Sequence, residues 1–203
     1  MHAPASNLDG GFHEPVFMAQ AVFRQVMTAM SRPGTEVSVP DSVSPPALLD
    51  KTVAAIACTL ADIDTPIWLD PALASSEGVK GWLAFHTGAR FTDDAGEAGF
   101  ALITDIAAMP SLEAFAQGSQ EYPDRSTSLI LRLPGLEGGS PLSFEGPGIR
   151  ERVTISPLGL PADFTRQWNA NRERFPRGVD LILVSDGSLI CLPRSARLVS
   201  AEG

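Results

Sequence analysis

The apolar positions between residues 16 and 31 recur at steps of three and four: Val16, Ala19, Val22, Phe23, Val26, Met27 and Met30. That spacing predicts a helix with one apolar face and with Gln20, Arg24 and Thr28 on the other. Pro15 suits the first turn, where its missing N–H would be unpaired anyway, and Ser31-Arg32-Pro33-Gly34 ends the helix. Residues 1–15 read as irregular. Residues 35–39 alternate in polarity as a short strand. Pro45-Pro46 then opens a second helix over 47–60, apolar on most sides and so expected to lie deep. A turn at 62–66 leads to a strand at 67–69, a third helix at 76–86, a strand at 99–104 and a short helix near 111–117.

The second half reads as richer in strands, at 128–133, 142–144 and 152–155, punctuated by proline and glycine. Residues 163–174 form a polar amphipathic helix containing Phe164 and Trp168. The sharpest local pattern follows. Residues 180–185 and 188–193 are almost wholly apolar and flank Asp186-Gly187, the pair that supplies the positive φ angles of a two-residue hairpin turn. Strands this apolar are expected to be covered on both faces. Helices interspersed with strands, and no repeat or linker between them, predict an α/β fold. The expectation is a single-domain layered fold over residues 1–203, with a central mixed sheet flanked by helices.

Composition removes several classes of function. The chain has 203 residues, enough for one sizeable core, and its net charge of −9 repels phosphate backbones and anionic lipid. Nucleic acid and membrane surfaces are therefore not expected partners. The longest strongly apolar run, 52–61, is far too short to span a bilayer. The start of the chain lacks the basic-then-apolar pattern of a signal peptide. The two cysteines, Cys58 and Cys191, lie in separate apolar runs with no metal-ligand spacing. They read as buried free thiols of a reducing cytoplasm, and no metal site is expected.

Candidate chemistry is sparse. Phosphate-loop, nucleophile-elbow, HExxH and dinucleotide-binding patterns are all missing. Of the three histidines only His86 falls in a predicted element, where packing or capping is the expected role. Lys51 and Lys80 are the only lysines that could form a Schiff base, and both read as solvated helix residues. The carboxylate pairs Asp62/Asp64 and Asp93/Asp94 sit in turn-like contexts. No catalytic residue is assigned. What remains is arginine beside glycine and proline: Arg24 on the first helix, Arg32 in the turn ending it, Arg177 before the hairpin and Arg194 after it. Such groups suit a phosphonate or a partner's carboxylate, and equally serve as solvated or ion-paired turn residues.

The segment GFHEPVFMAQAVFRQVMTAMSRPG (11–34) resembles the N-terminal signature of the PhnH family of phosphonate metabolism. Further segments are similar in the same order: LADIDTPIWL (60–69), FHTGAR (85–90), GS…SLIL (118–131), GPGI (146–149) and FPRGVDLIL…LPRS (175–195). Gln20, Arg24, Ser31, Pro33, Gly34 and Asp180 fit the pattern best. The resemblance implies the H subunit of the bacterial carbon–phosphorus lyase core complex, a transferase assembly with G, I and J subunits; a homodimer is an open alternative for the isolated chain. That complex transfers an alkylphosphonate to the ribose C1 of ATP and displaces adenine, and a later radical step on another, iron–sulfur subunit breaks the carbon–phosphorus bond. It also implies a fold like the large domain of pyridoxal-phosphate transferases without the cofactor, and an accessory role with no cofactor of its own. The expected ligand- or interface-binding residues are then Gln20, Arg24, Ser31, Arg32, Arg177, Asp180 and Arg194. The ligand would be a phosphonate or a nucleotide. The competing readings are a subunit that contributes to an active site, and a stand-alone phosphate- or phosphonate-binding enzyme or pyridoxal-phosphate-type transferase.

Overall fold

The computed structural model describes residues 8–199. Residues 8–14 carry no helix or strand, as expected, and the first seven lie outside the described residues. The elements in chain order are α1 (Pro15–Ser31), β1 (Val37–Ser38), α2 (Lys51–Leu60), β2 (Ile67–Leu69), α3 (Pro71–Ala74), α4 (Glu77–Thr87), β3 (Phe100–Ile103), β4 (Ser128–Arg132), β5 (Leu142–Glu145), β6 (Val153–Ile155), α5 (Phe164–Glu173), β7 (Asp180–Ser185), β8 (Ser188–Leu192) and β9 (Arg197–Val199).

Two predicted helices differ in extent. The second begins at Lys51 rather than at residue 47, because the Asp50 carboxylate accepts the N–H groups of Thr52 (2.8 Å) and Val53 (3.1 Å) and so caps the helix there. The short helix near 111–117 shrinks to a single 3₁₀ turn at Leu112–Ala114. The Gln117 side-chain amide donates to the Leu112 and Phe115 carbonyls, both at 2.8 Å, and takes the place of further helical bonds. The hairpin forms as expected, with φ of 46° at Asp186 and 81° at Gly187.

A six-stranded mixed sheet runs in the order β1-β8-β7-β4-β3-β2. Strands β2, β3, β4 and β7 are mutually parallel; at one side β8 runs antiparallel to β7, and β1 antiparallel to β8. The parallel strands follow one another in a single direction across the sheet. There is thus no point where the order reverses, the usual place for a ligand crevice in an open parallel sheet. A second sheet, β6-β5-β9, is small and antiparallel.

The central strands are buried on both faces. Leu69, Leu102, Ile130, Ile182 and Val184 point to one side and pack with α1, α2 and α4. Leu129, Leu131, Leu181, Leu183 and Leu192 point to the other, where Phe144, Phe164 and Trp168 of the small sheet and α5 cover them. Trp168 stacks on Phe164, meets Phe144 edge-on, and donates its indole N–H to the Ala196 carbonyl at 3.1 Å. The result is three layers: the mixed sheet with helices on one face, as expected, and on the other face α5 together with the small antiparallel sheet, which the patterning did not predict.

One buried carboxylate ties the ends of two parallel strands together. Asp70, fully buried, follows β2 and caps α3 by accepting the Leu73 N–H at 2.8 Å. Its other oxygen accepts the N–H groups of Thr104 (2.5 Å) and Asp105 (2.9 Å) and the Thr104 hydroxyl (2.8 Å), just beyond β3. Burial pulls the carboxyl upward, but these four donors together outweigh it and hold the group below its ordinary value. The folded pKa is thus depressed. Its stabilisation is complete above the unfolded value of about 4 and is lost as pH falls through the folded value.

Asp70→Asn places an NH₂ against backbone donors. It should cost about 2–4 kcal/mol at pH 7, and the cost should shrink below about pH 4, as measured by urea titration at both pH values. An equal cost at both would contradict the assignment. The thiols give a second check. Cys191 is buried, and burial pushes its pKa far up; desolvation lifts Cys58 to about 12. Both should resist Ellman's reagent in the native chain at pH 8 and react only on unfolding.

Candidate interface on the first helix

Helix α1 turns only part of its apolar surface inward. Val22, Val26 and Ala29 are buried, and Met30 packs against them at the edge of the core. Val16 (77% exposed), Phe17 (67%), Phe23 (47%) and Met27 (49%) are not. This corrects the single apolar face drawn from the spacing. α1 lies against α2 and β8 on one side only, so positions a third of a turn away from Val22 and Val26 meet no neighbour. Val16, Gln20, Phe23, Met27 and Ser31, at steps of four, three, four and four, make one exposed stripe along four turns. Arg24 and Phe17 border it.

Other exposed large apolar residues, such as Ile63, Phe85 and Tyr122, lie on other parts of the chain, whereas Val16, Phe23 and Met27 share one face of α1 with Phe17 at its border. A compact group of Phe, Met, Val and Arg without Lys is the composition of a protein contact surface rather than of solvated helix.

The charges on this face have no internal partner. Arg132, Arg152, Arg166, Arg174, Arg194 and Arg197 each pair with a carboxylate of the chain. Among the described residues Arg24 and Arg32 pair with none, as is also true of Arg90, Arg125, Arg150, Arg172 and Arg177 elsewhere; what sets the first two apart is their place beside the exposed apolar stripe. The hydroxyls here are turned onto the helix: Thr28 donates to the Arg24 carbonyl at 2.7 Å and Ser31 to the Thr28 carbonyl at 2.9 Å. The Arg32 N–H donates to the Thr28 carbonyl at 3.1 Å and closes the last turn.

That last turn is braced from far along the chain. Gly148 of the Gly146-Pro147-Gly148-Ile149 turn, with φ of 82°, lies against it. A side chain there would come within 2.2 Å of the Ser31 carbonyl oxygen, so only glycine permits the approach.

Of the residues singled out in the sequence, the structure brings Gln20, Arg24, Ser31 and Arg32 together on or at the end of this one exposed surface. The other three lie elsewhere. Arg177 is exposed in the turn after α5. Asp180 and Arg194 hold each other: the Asp180 carboxylate accepts the backbone N–H of Arg194 at 2.7 Å and its guanidinium Nε at 3.1 Å, and Arg194 Nη1 donates to the Pro123 carbonyl at 2.5 Å. That pair fastens the turn after the hairpin to the start of β7. Val16, Phe17, Phe23 and Met27 were not among the candidates, because an interface stripe and a core stripe have the same sequence period.

The cavities do not gather arginines. The two grooves of about 640 Å³ contain Arg166 and no other arginine between them, and one of about 410 Å³ contains Arg125. Lys51 and Lys80 are held by Asp41 and Glu77 on helix surfaces. Among the described residues no group of three or more His, Cys, Asp or Glu side chains could hold a metal ion, and no helix is long and apolar enough to cross a membrane.

The family profile described as bacterial phosphonate metabolism protein (PhnH) matches residues 10–199. The chain is 48% identical over 198 residues to the alpha-D-ribose 1-methylphosphonate 5-triphosphate synthase subunit PhnH of Rhizobium meliloti (strain 1021), with 98% of each chain covered. It is 33% identical over 187 residues to HtxG of Stutzerimonas stutzeri, assigned as a C-P lyase subunit, with 88% of this chain and 85% of that one covered. A family match across almost all the described residues, joined to a relative this similar over its full length, means that the chain belongs to the PhnH family of bacterial phosphonate metabolism proteins.

Proposed function

We propose that this chain is a docking subunit of a cytoplasmic carbon–phosphorus lyase core complex, held to a neighbouring subunit through the outer face of α1. The observation that carries the reading is the uncovered stripe of Val16, Phe23 and Met27 with the unpaired Arg24 and Arg32 beside it. The partner that fits it is an apolar surface edged with carboxylates. Against a chain of net charge −9, two free guanidinium groups at one face steer such a partner to that face. The names of the relatives, a ribose 1-methylphosphonate 5-triphosphate synthase subunit and a C-P lyase subunit, supply the assembly. The G, I and J subunits are the partners in this reading, and the supported reaction is transfer of alkylphosphonate to the ribose C1 of ATP with release of adenine.

The chain's own part is to bind and position, not to react. Both lysines are in ion pairs, both thiols are held protonated, and His86 is packed between Trp82 and Phe85 with its Nε2 2.8 Å from the Leu8 carbonyl. The likeness to a pyridoxal-phosphate transferase large domain belongs to the same proposal, and in it Lys51 and Lys80, ion-paired to Asp41 and Glu77, are not Schiff-base lysines. The two free thiols fit a reducing compartment.

Co-expression with the G, I and J subunits should give one co-eluting species by light scattering, heavier than this chain alone. Phe23→Asp places a charge in the stripe and should weaken association at least about 30-fold, corresponding to roughly 2 kcal/mol. Arg24→Glu should weaken it about tenfold, an effect that fades in high salt. Both positions are exposed, so thermal melting of the isolated variants should match the parent within about 0.5 kcal/mol. Adenine release by the assembly should fall in step with association. Undiminished association of both variants would remove α1 from the interface, and no co-elution with any of the three subunits would end the subunit reading.

A further inference from the structure

Four arginines from three parts of the chain meet at the corner where α1 ends. The Gly146-Pro147-Gly148 turn is wedged there between two other segments. A side chain at Gly146 would come within 2.9 Å of the Ser195 carbonyl oxygen, and one at Gly148 within 2.9 Å of the Pro33 ring. The turn thus brings Arg150 and Arg152, which follow it, to Arg32 at the end of α1 and Arg197 at the start of β9. The small sheet fixes part of this arrangement: Glu145 of β5 lies opposite Arg197 of β9, and Arg152 directly precedes β6 on the other side of β5. All four arginines are exposed.

The corner holds more positive charge than it neutralises. Glu145 serves two arginines at once, accepting from Arg152 Nη2 at 3.1 Å through one oxygen and from Arg197 Nη2 at 2.7 Å through the other. Glu151 is the other carboxylate beside the turn, while Glu36, beyond Gly34, lines a separate groove with Thr154 and Ile155. Four guanidinium groups therefore face two carboxylates, on a chain whose net charge is −9. Each guanidinium carries five N–H donors. Arg197 spends one of them on Glu145, and among the described residues the Arg32 and Arg150 side chains spend none.

Shape as well as sign decides what fits. These arginines line none of the grooves described above and stand on an open corner, which does not enclose a small anion. A long polyanion such as nucleic acid would meet the corner and then the acidic remainder of the chain, which repels it. A short protein segment bearing several carboxylates touches the corner alone, and guanidinium forks are its matching donors. The corner also continues the outer face of α1, because Ser31 ends the exposed stripe and Arg32 and the Gly148 turn adjoin it. We propose that this corner receives an acidic segment, with aspartates or glutamates close together in sequence, from the subunit that covers α1. That the partner belongs to the lyase assembly rests on the proposed function above; the acidic character of its segment rests on the corner.

The test compares association of the parent chain, Arg150→Glu, Arg197→Glu, Arg90→Glu and Phe23→Asp with the G, I and J subunits at low and high salt. Arg90 is the control: it is exposed and unpaired, it adjoins β2 at the opposite edge of the main sheet, and its variant carries the same change of charge. At about 50 mM salt Arg150→Glu and Arg197→Glu should each weaken association roughly tenfold, and Arg90→Glu should not. At about 500 mM salt the difference should fall below roughly twofold. Arg150 has no internal partner, so Arg150→Glu should melt as the parent does. In the assembly, Arg150→Lys treated with a carbodiimide, which joins amines to carboxylates, should crosslink position 150 to an acidic segment of a neighbouring subunit, located by mass spectrometry. Corner variants that associate as well as Arg90→Glu, while Phe23→Asp associates weakly, would overturn the corner and leave the α1 reading standing. Undiminished association of the corner variants and of Phe23→Asp together would overturn both. An equal loss with Arg90→Glu, or crosslinks from position 150 confined to Glu145 and Glu151 of the same chain, would also overturn the corner.

Discussion

Strands β4 and β7 carry no polar side chain on either face through Leu129-Ile130-Leu131 and Leu181-Ile182-Leu183-Val184, and all seven residues are buried. A parallel pair of this kind cannot face water on either side. Everything else is arranged to cover it. Helix α2, buried from Thr52 to Ala57, lies on one face with α1 and α4; α5 and the small sheet take the other. Because α1 is the outer partner of α2 and β8, it has one side to give to the core. Its remaining apolar surface is left over from that arrangement, and it is this surplus that the proposed partner would bury.

The family's separated segments brace that helix. The N-terminal Gly10-Gly11 stretch rests on Ser44 and on His86 of the 85–90 segment, which sets the entry to α1. The Gly146–Ile149 turn presses on the Ser31 carbonyl and sets its exit. Farther along, the buried Asn171 side chain accepts the Val179 N–H at 2.8 Å and donates to the Val179 carbonyl at 3.0 Å, closing the loop that carries Arg177. Motifs far apart in the chain thus act at two ends of one element. A rigidly held helix with an unpaired outer face is what a docking subunit needs, since little ordering entropy remains to be lost on association.

Local chemistry made much of the fold legible. Asp186-Gly187 marked the hairpin because only a few residues tolerate positive φ in succession. The strands of the main sheet were readable from short apolar runs, and α5 from Phe164 and Trp168 on a polar helix. What could not be read depended on contacts between distant residues. The start of α2 is set by a side-chain cap at Asp50, which overrides the Pro45-Pro46 signal. The strand β9 exists only because β5 offers it a partner. For the site, Gln20, Arg24, Ser31 and Arg32 came from one signature segment, and they share one surface. Phe23 and Met27 were assigned inward because helical period cannot distinguish a face that meets the core from one that meets another molecule. Asp180 and Arg194 sit fourteen residues apart, on either side of the hairpin, and their pairing appears only once the strands are zipped.

The most direct test of the central claim is hydroxyl-radical footprinting of Phe17, Phe23 and Met27 in the isolated chain and in the purified assembly, with Tyr122 and Phe175 as exposed references remote from α1 in sequence. The expected result is strong labelling of all five in the free chain, and loss of labelling at Phe23 and Met27 on assembly while the references stay reactive. Unchanged labelling at Phe23 and Met27 in an intact assembly would contradict the account, because the outer face of α1 would then be open to water in the complex as well.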